Sequence, residues 1–353
     1  MRQNKSILIK NIYYMLAYAF ISPYQSGFDD MEKEEFSSVH NLFAAILSKG
    51  ISQQLKQGLY REYTSADEDL MTVRGRIRMP ETMRNRTAGK HALSCEYDEL
   101  SENTLLNQIL KTTAMLLLKH PWVDEKHRIN LKKEMLFFSE VDLVDPRSVR
   151  WNSIRFQRHN SSYRMLMGVC QLVLEGMLMT TESGGCRLAS FVDDQQMCRL
   201  YEKFLLNFYV KECPYIKAAP SQIAWDLDDG VDDMLPTMQS DVTLSRGNDI
   251  LIIDAKYYSH TTQTRYSTHS INSPNLQQIY TYVKNTDSAF KGAPHTVSGM
   301  LLYAMTDEVI QPNQVYQMSG NKISARTLDL NRDFSQIAAQ LHAIAEEHFP
   351  IVT

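Results

Sequence analysis

The sequence predicts an α/β protein, α+β overall, with a helical N-terminal domain that carries a small inserted β-sheet, followed by a C-terminal mixed sheet flanked by helices. Three observations predict it. The chain has 353 residues, and at roughly 150 residues per domain that suits two domains. Apolar residues recur at helical spacing in the first part, but residues 59–97 read as short strands between polar turns. After residue 185 the order helix, strand, strand, helix, strand, helix describes a compact mixed sheet with helical cover. The boundary falls near 150–185, giving a domain over 1–160 and a second over 161–353.

Composition narrows the function classes. Hydrophobic residues make up 43% and charged residues 22%, so each part can bury a core and global disorder is excluded. Lys+Arg is 37 against Asp+Glu 41, a net charge of -4. The chain therefore lacks a general basic footprint, and contact with nucleic acid needs a local patch or a partner. Cys95, Cys170, Cys186, Cys198 and Cys213 are scattered without a CxxC pair, which fits thiols in a reducing compartment better than a disulfide framework. No signal peptide or spanning run of about 18 apolar residues is found, so the expectation is a cytoplasmic chain with no membrane partner.

Taken in order, residues 11–20 read as a short helix and 38–55 as a second, with Val39, Leu42, Phe43, Ile46 and Ile51 on one face. Residues 59–64, 70–79 and 91–97 read as strands of a small finger. Helices follow over 103–119, stopped by Pro121, and over 128–138 and 163–179, with a break at Gly184–Gly185. A helix at 200–210 precedes strand-like runs at 240–245 and 249–257, joined by the turn formers Arg246, Gly247 and Asn248. Ser273–Pro274 opens a helix that puts Leu276, Ile279, Tyr280 and Val283 on one side. A strand at 299–304, weaker strands within 311–330 and a helix over 333–348 close the chain.

The chemistry concentrates in SDVTLSRGNDILIIDAKYY, residues 240–258. Asp254 and Lys256 are two apart in a strand and leave the same face. Asp241 opens the partner strand of the hairpin, so pairing returns it toward Asp254. Ile250–Ile253 is apolar on both faces, the mark of a central strand. Ionisable groups at the end of such a strand are costly unless paired or metal-bound. Two carboxylates and the Ala255 carbonyl suit Mg²⁺, with Mn²⁺ able to substitute, and an adjacent lysine can assist an attacking water. A salt-bridged surface pair is the plain alternative.

The Asp241…Asp254-Ala255-Lys256 arrangement resembles the PD-(D/E)xK nuclease motif, with Ser240 where the motif has proline. Gln278 and Tyr282 are similar to the Q-xxx-Y element of many members, where the glutamine helps to position the scissile phosphate or a metal-bound water. NIYYMLAYAF (11–20), VRGRIRM (73–79), DELSENTLLNQIL (98–110), LPTMQSDVTL (235–244) and IIDAKYY (252–258) together resemble the McrC family, the nuclease subunits of modified-cytosine-dependent restriction systems. The resemblance implies a restriction-endonuclease-like C-terminal domain. It also implies an N-terminal part that binds a hexameric McrB-like AAA+ GTPase and stimulates it, and double-stranded DNA with modified cytosine as substrate. Two rival readings stand beside it: a non-cutting adaptor of an AAA+ motor, and a stand-alone repair nuclease of the same fold.

Other residues weigh in. Arg74, Arg76 and Arg78 alternate, so a strand would place all three on one face as a partner-binding tip, or as a solvated edge that blocks edge pairing. Glu202, on the helix before the core strands, is a candidate supporting metal ligand. Asp226, Asp228, Asp229, Asp232 and Asp233 form an acidic run whose spacing fails the EF-hand pattern, so a solvated loop is expected. His260, Arg265 and His269 lie in a polar stretch that reads as a surface loop. No GxxxxGK[ST] occurs, so no nucleotide is expected to bind to this chain itself.

Overall fold

The computed structural model describes residues 9–20, 36, 38–182, 194–257, 262–265, 268–290, 292–306 and 310–350. The chain divides into two compact units, one made of residues 1–42 and 179–353, the other of 43–178. The first helix therefore belongs with the C-terminal part, where the sequence reading had placed it in a domain over 1–160. The Gly184–Gly185 break, Cys186 and His260 lie outside the described residues.

The larger unit is built on a six-stranded sheet. Its strands are β4 (Lys217–Ala219), β7 (Val242–Arg246), β8 (Asp249–Lys256), β11 (Thr296–Ala304), β12 (Gln314–Met318) and β13 (Asn321–Leu328), in the spatial order β12-β13-β11-β8-β7-β4. The pairs β8–β11 and β11–β13 are parallel, while β12–β13, β7–β8 and β4–β7 are antiparallel, so the sheet is mixed. The hairpin predicted around Gly247 forms, with that glycine at φ 62°. Leu251, Ile252 and Ile253 are all buried, as a strand covered on both faces requires. Short strands β5 (Gln222–Ile223) and β6 (Met238–Gln239) pair beside the sheet. A hairpin of β9 (Thr262–Arg265) and β10 (Thr268–Ile271) occupies the stretch read as a loop.

Helix α8 (Ser273–Ser288) packs on β8, β11 and β13 through Ile279, Tyr282 and Val283 against Ile252, Val297 and Leu301. Gly299 permits that approach: a Cβ there would lie 2.7 Å from Val283 Cγ2 and 2.8 Å from Ile279 Cγ1. Helix α7 (Asp194–Glu212) packs on β4, β7 and β8. Its far side meets α1 (Ile9–Ala19) and α9 (Phe334–His348) in an aromatic cluster, in which Tyr18 contacts Phe204, Phe208 and Phe334, and Tyr14 stacks on Phe334 at 4.1 Å. Asn11, 1% exposed, donates to the Leu330 carbonyl at 2.5 Å and to that of Arg332 at 2.9 Å. A buried amide with both protons satisfied fixes α1 to the C-terminal segment.

The smaller unit is mostly helical. It contains most of α2 (Val39–Gln57), then α4 (Leu105–Lys119), α5 (Glu125–Met135) and most of α6 (Tyr163–Glu182). Buried Asn107 ties these parts together, donating to the Tyr60 and Glu102 carbonyls at 2.8 Å each and accepting from the Tyr163 hydroxyl at 2.8 Å. The inserted sheet has the order β1 (Glu62–Leu70), β3 (Leu93–Ser101), β2 (Arg76–Ile77). The expected strand over 70–79 shrinks to the two residues of β2. Gly75, at φ 67°, breaks the alternation, and Met79–Pro80 starts α3 (Met79–Thr87) with proline in its first turn. Among the described residues no helix is long and apolar enough to cross a membrane.

Candidate active site

The site forms where β8 outruns β7. The last antiparallel pair is Val242 with Ile253, and Asp241 lies one residue before the β7 ladder. Its Oδ2 accepts the Ala255 backbone N–H at 2.8 Å, so a carboxylate takes the place that the next ladder residue would have filled. A strand residue sends its N–H and C=O to the same edge, so the Ala255 carbonyl leaves β8 on this side as well. Ser240, where the motif has proline, is 2% exposed and fixes the approach to Asp241: its N–H donates to the Ser221 carbonyl, its Oγ accepts the Ser221 N–H, and its hydroxyl meets that of Thr243.

Asp254 and Lys256 share a face of β8 as their spacing requires. Asp254 is 2% exposed, and its Oδ2 lies 2.7 Å from Lys256 Nζ. That contact sets the ammonium against the buried carboxylate and opposes the rise that burial imposes on it. Lys256 Nζ donates to Gln278 Oε1 at 3.1 Å, and Gln278 Nε2 donates to the Tyr282 hydroxyl at 3.0 Å. Both partners stand one turn apart on α8, so the helix held close by Gly299 sets the position of the lysine.

The electrostatics show the tension of the cluster. Burial pushes the Asp254 carboxyl up to about 7, against the opposing pull of Lys256 and with the charge of Asp241 adding to the rise. Burial also raises Asp241, while the Ala255 N–H and Lys256 counteract it. Glu202, on α7, lines a cleft of about 370 Å³ together with Ser240 and Asp241. Burial and then the Asp241 charge raise its carboxyl, and the Cys198 thiol donates to its Oε1 at 3.3 Å. Among the described residues no three His, Cys, Asp or Glu side chains converge as a metal-binding set. Glu202 thus borders the site without completing a cage.

Asp241, Asp254, Ala255, Lys256 and Gln278 are brought together. Two mutually repelling carboxylates and a carbonyl on the same edge suit a hard divalent cation that keeps most of its waters, the habit of Mg²⁺. Asp226, Asp228, Asp229, Asp232 and Asp233 are all exposed, as a solvated loop is. The three finger arginines do not share one strand face. Arg74 lies 3.8 Å over the Tyr97 ring, Arg78 pairs with Asp67 and Glu81, and Arg76 is exposed on β2. Sequence reading missed Ser221, whose bonds to Ser240 link segments 19 residues apart, and Cys198, which reaches Glu202 one turn along α7.

The deciding comparison is a match of residues 2–304 to the family described as McrBC 5-methylcytosine restriction system component. The chain belongs to this family. The type IV methyl-directed restriction enzyme EcoKMcrBC of Escherichia coli (strain K12) is 25% identical over 346 residues, which is 97% of this chain and 98% of that protein. A similar fold occurs in the half-complex from the tetradecameric assembly of Thermococcus gammatolerans McrB AAA+ hexamers with bound McrC. There the TM-score is 0.54 and the identity 17%, over 96% of this chain and 75% of that one. A McrBC-family chain is a restriction-system component, so the acid–lysine cluster sits in a protein of DNA restriction rather than in an unrelated α/β enzyme.

Proposed function

We propose that this chain is the DNA-cutting subunit of a modified-cytosine-dependent restriction complex, and that its larger unit is a nuclease of the PD-(D/E)xK type. The observation that carries the reading is the meeting of Asp241, Asp254 and Lys256 where β8 outruns β7, with the Asp254 carboxylate buried against the lysine. Asp241, Asp254 and the Ala255 carbonyl would hold Mg²⁺, or Mn²⁺ in its place. The bound cation would supply Lewis-acid activation of water and of the phosphodiester. Within the chain, Lys256 orients the attacking water and stabilises charge gathering on the phosphate oxygens. Gln278 holds the ammonium in place, and Tyr282 holds Gln278.

The partner is a hexameric AAA+ GTPase of the McrB kind, as the Thermococcus gammatolerans assembly suggests. Arg74, Arg76 and Arg78 lie on the part of the chain that would engage it and stimulate GTP hydrolysis, and the chain itself binds no nucleotide. A net charge of -4 makes a poor free-standing DNA binder, and delegating DNA capture to the motor resolves that. The test is plasmid cutting by Asp254→Ala in the reconstituted complex. Cutting should vanish while GTPase stimulation persists; full cutting refutes the nuclease assignment, and loss of both refutes the separation of roles.

A further inference from the structure

From Pro146 to Leu174 the sequence contains no Asp, Glu or Lys but five arginines, Arg147, Arg150, Arg155, Arg158 and Arg164, in a chain whose overall balance is acidic. All five are exposed. Among the described residues none of them is in an ion pair, although arginines elsewhere in the same unit, such as Arg61, Arg78 and Arg128, find carboxylates.

The backbone beneath them is pinned rather than loose. The Arg150 carbonyl accepts both the N–H and the hydroxyl of Ser153, at 2.9 and 2.7 Å. The Arg158 carbonyl accepts the Ser161 hydroxyl at 3.0 Å. Asn160, 4% exposed, donates to the Arg155 carbonyl at 3.4 Å and accepts the Gln157 N–H at 2.6 Å. Three of the arginines are thus mounted on turns that polar side chains hold fixed, while their guanidinium groups face solvent. Among the described residues no carboxylate pairs with any of the five, so their charge is open to an anionic ligand.

We propose that residues 147–164 form a binding surface for the phosphate backbone of DNA, separate from the acid–lysine cluster. Arginine used to the exclusion of lysine favours this ligand, because the planar fork matches phosphate oxygens two at a time. Trp151, Phe156 and His159 stand between the arginines, with Arg164 over the Phe156 ring at 5.4 Å, and such interleaving keeps the guanidinium groups in order beside a sugar–phosphate chain. The inference rests on the reading that DNA is the substrate, and it gives this chain its own grip on DNA in addition to that of the motor.

The experiment compares the full-length chain with Arg150→Gln/Arg155→Gln/Arg158→Gln, using anisotropy of a fluorescein-labelled DNA duplex across a salt series. Lys90→Gln/Lys132→Gln/Lys133→Gln is the control, with the same change of charge in the same unit. The arginine variant should bind at least about tenfold more weakly, and its salt slope should fall by about 2.7, since each phosphate contact contributes about 0.9. The lysine control should keep the native slope. Unaltered binding by the arginine variant, equal loss in both variants, or no duplex binding by the native chain at low salt overturns the proposal. So does intact DNA binding with lost association to the AAA+ partner, which would make the surface a protein interface. Because binding is read without cutting, these outcomes are independent of whether Asp254→Ala still cleaves.

Discussion

Asp241 Oδ2 accepts the N–H of Ala255 at 2.8 Å, a side chain standing in for the backbone partner that β7 no longer supplies. The overrun of β8 past β7 thereby does two things. It satisfies an amide that would otherwise be left unpaired at the end of a buried strand, and it draws the Asp241 carboxylate beside Asp254.

The surroundings of Asp254 oppose its ionisation. Its carboxyl is raised to about 7 by burial, above the 3.8 of the unfolded chain. Between those values the folded state keeps a proton that the unfolded state releases, so this group lowers stability as pH rises through the window. Asp254→Asn removes the effect. Without divalent cations its Tm should match the native chain near about pH 4 and exceed it by several degrees near about pH 8, while cutting is lost. A lower Tm at the higher pH would count against the strain described here.

A divalent cation should relieve the same strain. Mg²⁺ added at neutral pH should raise the Tm of the unaltered chain, by about 2.7 kcal/mol of stability at one hundred times Kd. Mn²⁺ should act likewise. Neither should move Asp254→Asn or Asp241→Asn appreciably. An equal rise in all three proteins would place the cation elsewhere.

Gln278 acts through Lys256. Gln278→Leu should reduce cutting by about 10–100-fold, the range found when groups behind a reactive centre are removed, with Tm little changed. Tyr282→Phe should lose less, because Gln278 keeps its contact with the lysine. Native rates for Gln278→Leu in single-turnover cleavage would reduce this chain of contacts to packing.

Gly299 sets the depth of α8. A methyl group there meets Val283 and Ile279 at under 3 Å, and relief requires the helix to move outward. Gly299→Ala should lose about 1–3 kcal/mol of stability in urea denaturation and should also lower cutting, since α8 carries Gln278. Lower cutting with unchanged stability would show that the contact is soft.

Asn11 holds the first helix to the last segment. Asn11→Ala strands the carbonyls of Leu330 and Arg332, a loss of about 1–3 kcal/mol. A fragment over 161–353 should fail to give a cooperative transition, whereas the full chain gives one. Cooperative melting of that fragment by calorimetry would restore the simple boundary near 160.

The larger unit was legible in the sequence where signals were local. The Gly247 turn, the doubly apolar strand before Asp254 and the Ser273–Pro274 helix start each carry their own mechanism, and the pairing of Asp241 with Asp254 follows from hairpin register. The finger misled because alternating arginines imitate a strand, whereas Gly75 and Pro80 override the alternation within a few residues. The short strands β4, β5 and β6 carry too few residues for a period to be seen. The place of α1 was invisible for a different reason: its partners Phe204, Phe334 and the Leu330 carbonyl are far away in sequence, and its own amphipathic pattern does not say which core it completes.

That interrupted arrangement bears on how the molecule is made. Residues 9–20 leave the ribosome before the smaller unit, yet their partners on α7 and α9 emerge only after the whole of that unit has been synthesised. At cellular translation speeds the wait is on the order of tens of seconds. The smaller unit can collapse during that interval, while Tyr14 and Tyr18 on α1 wait for the rings of Phe204 and Phe334 that will cover them.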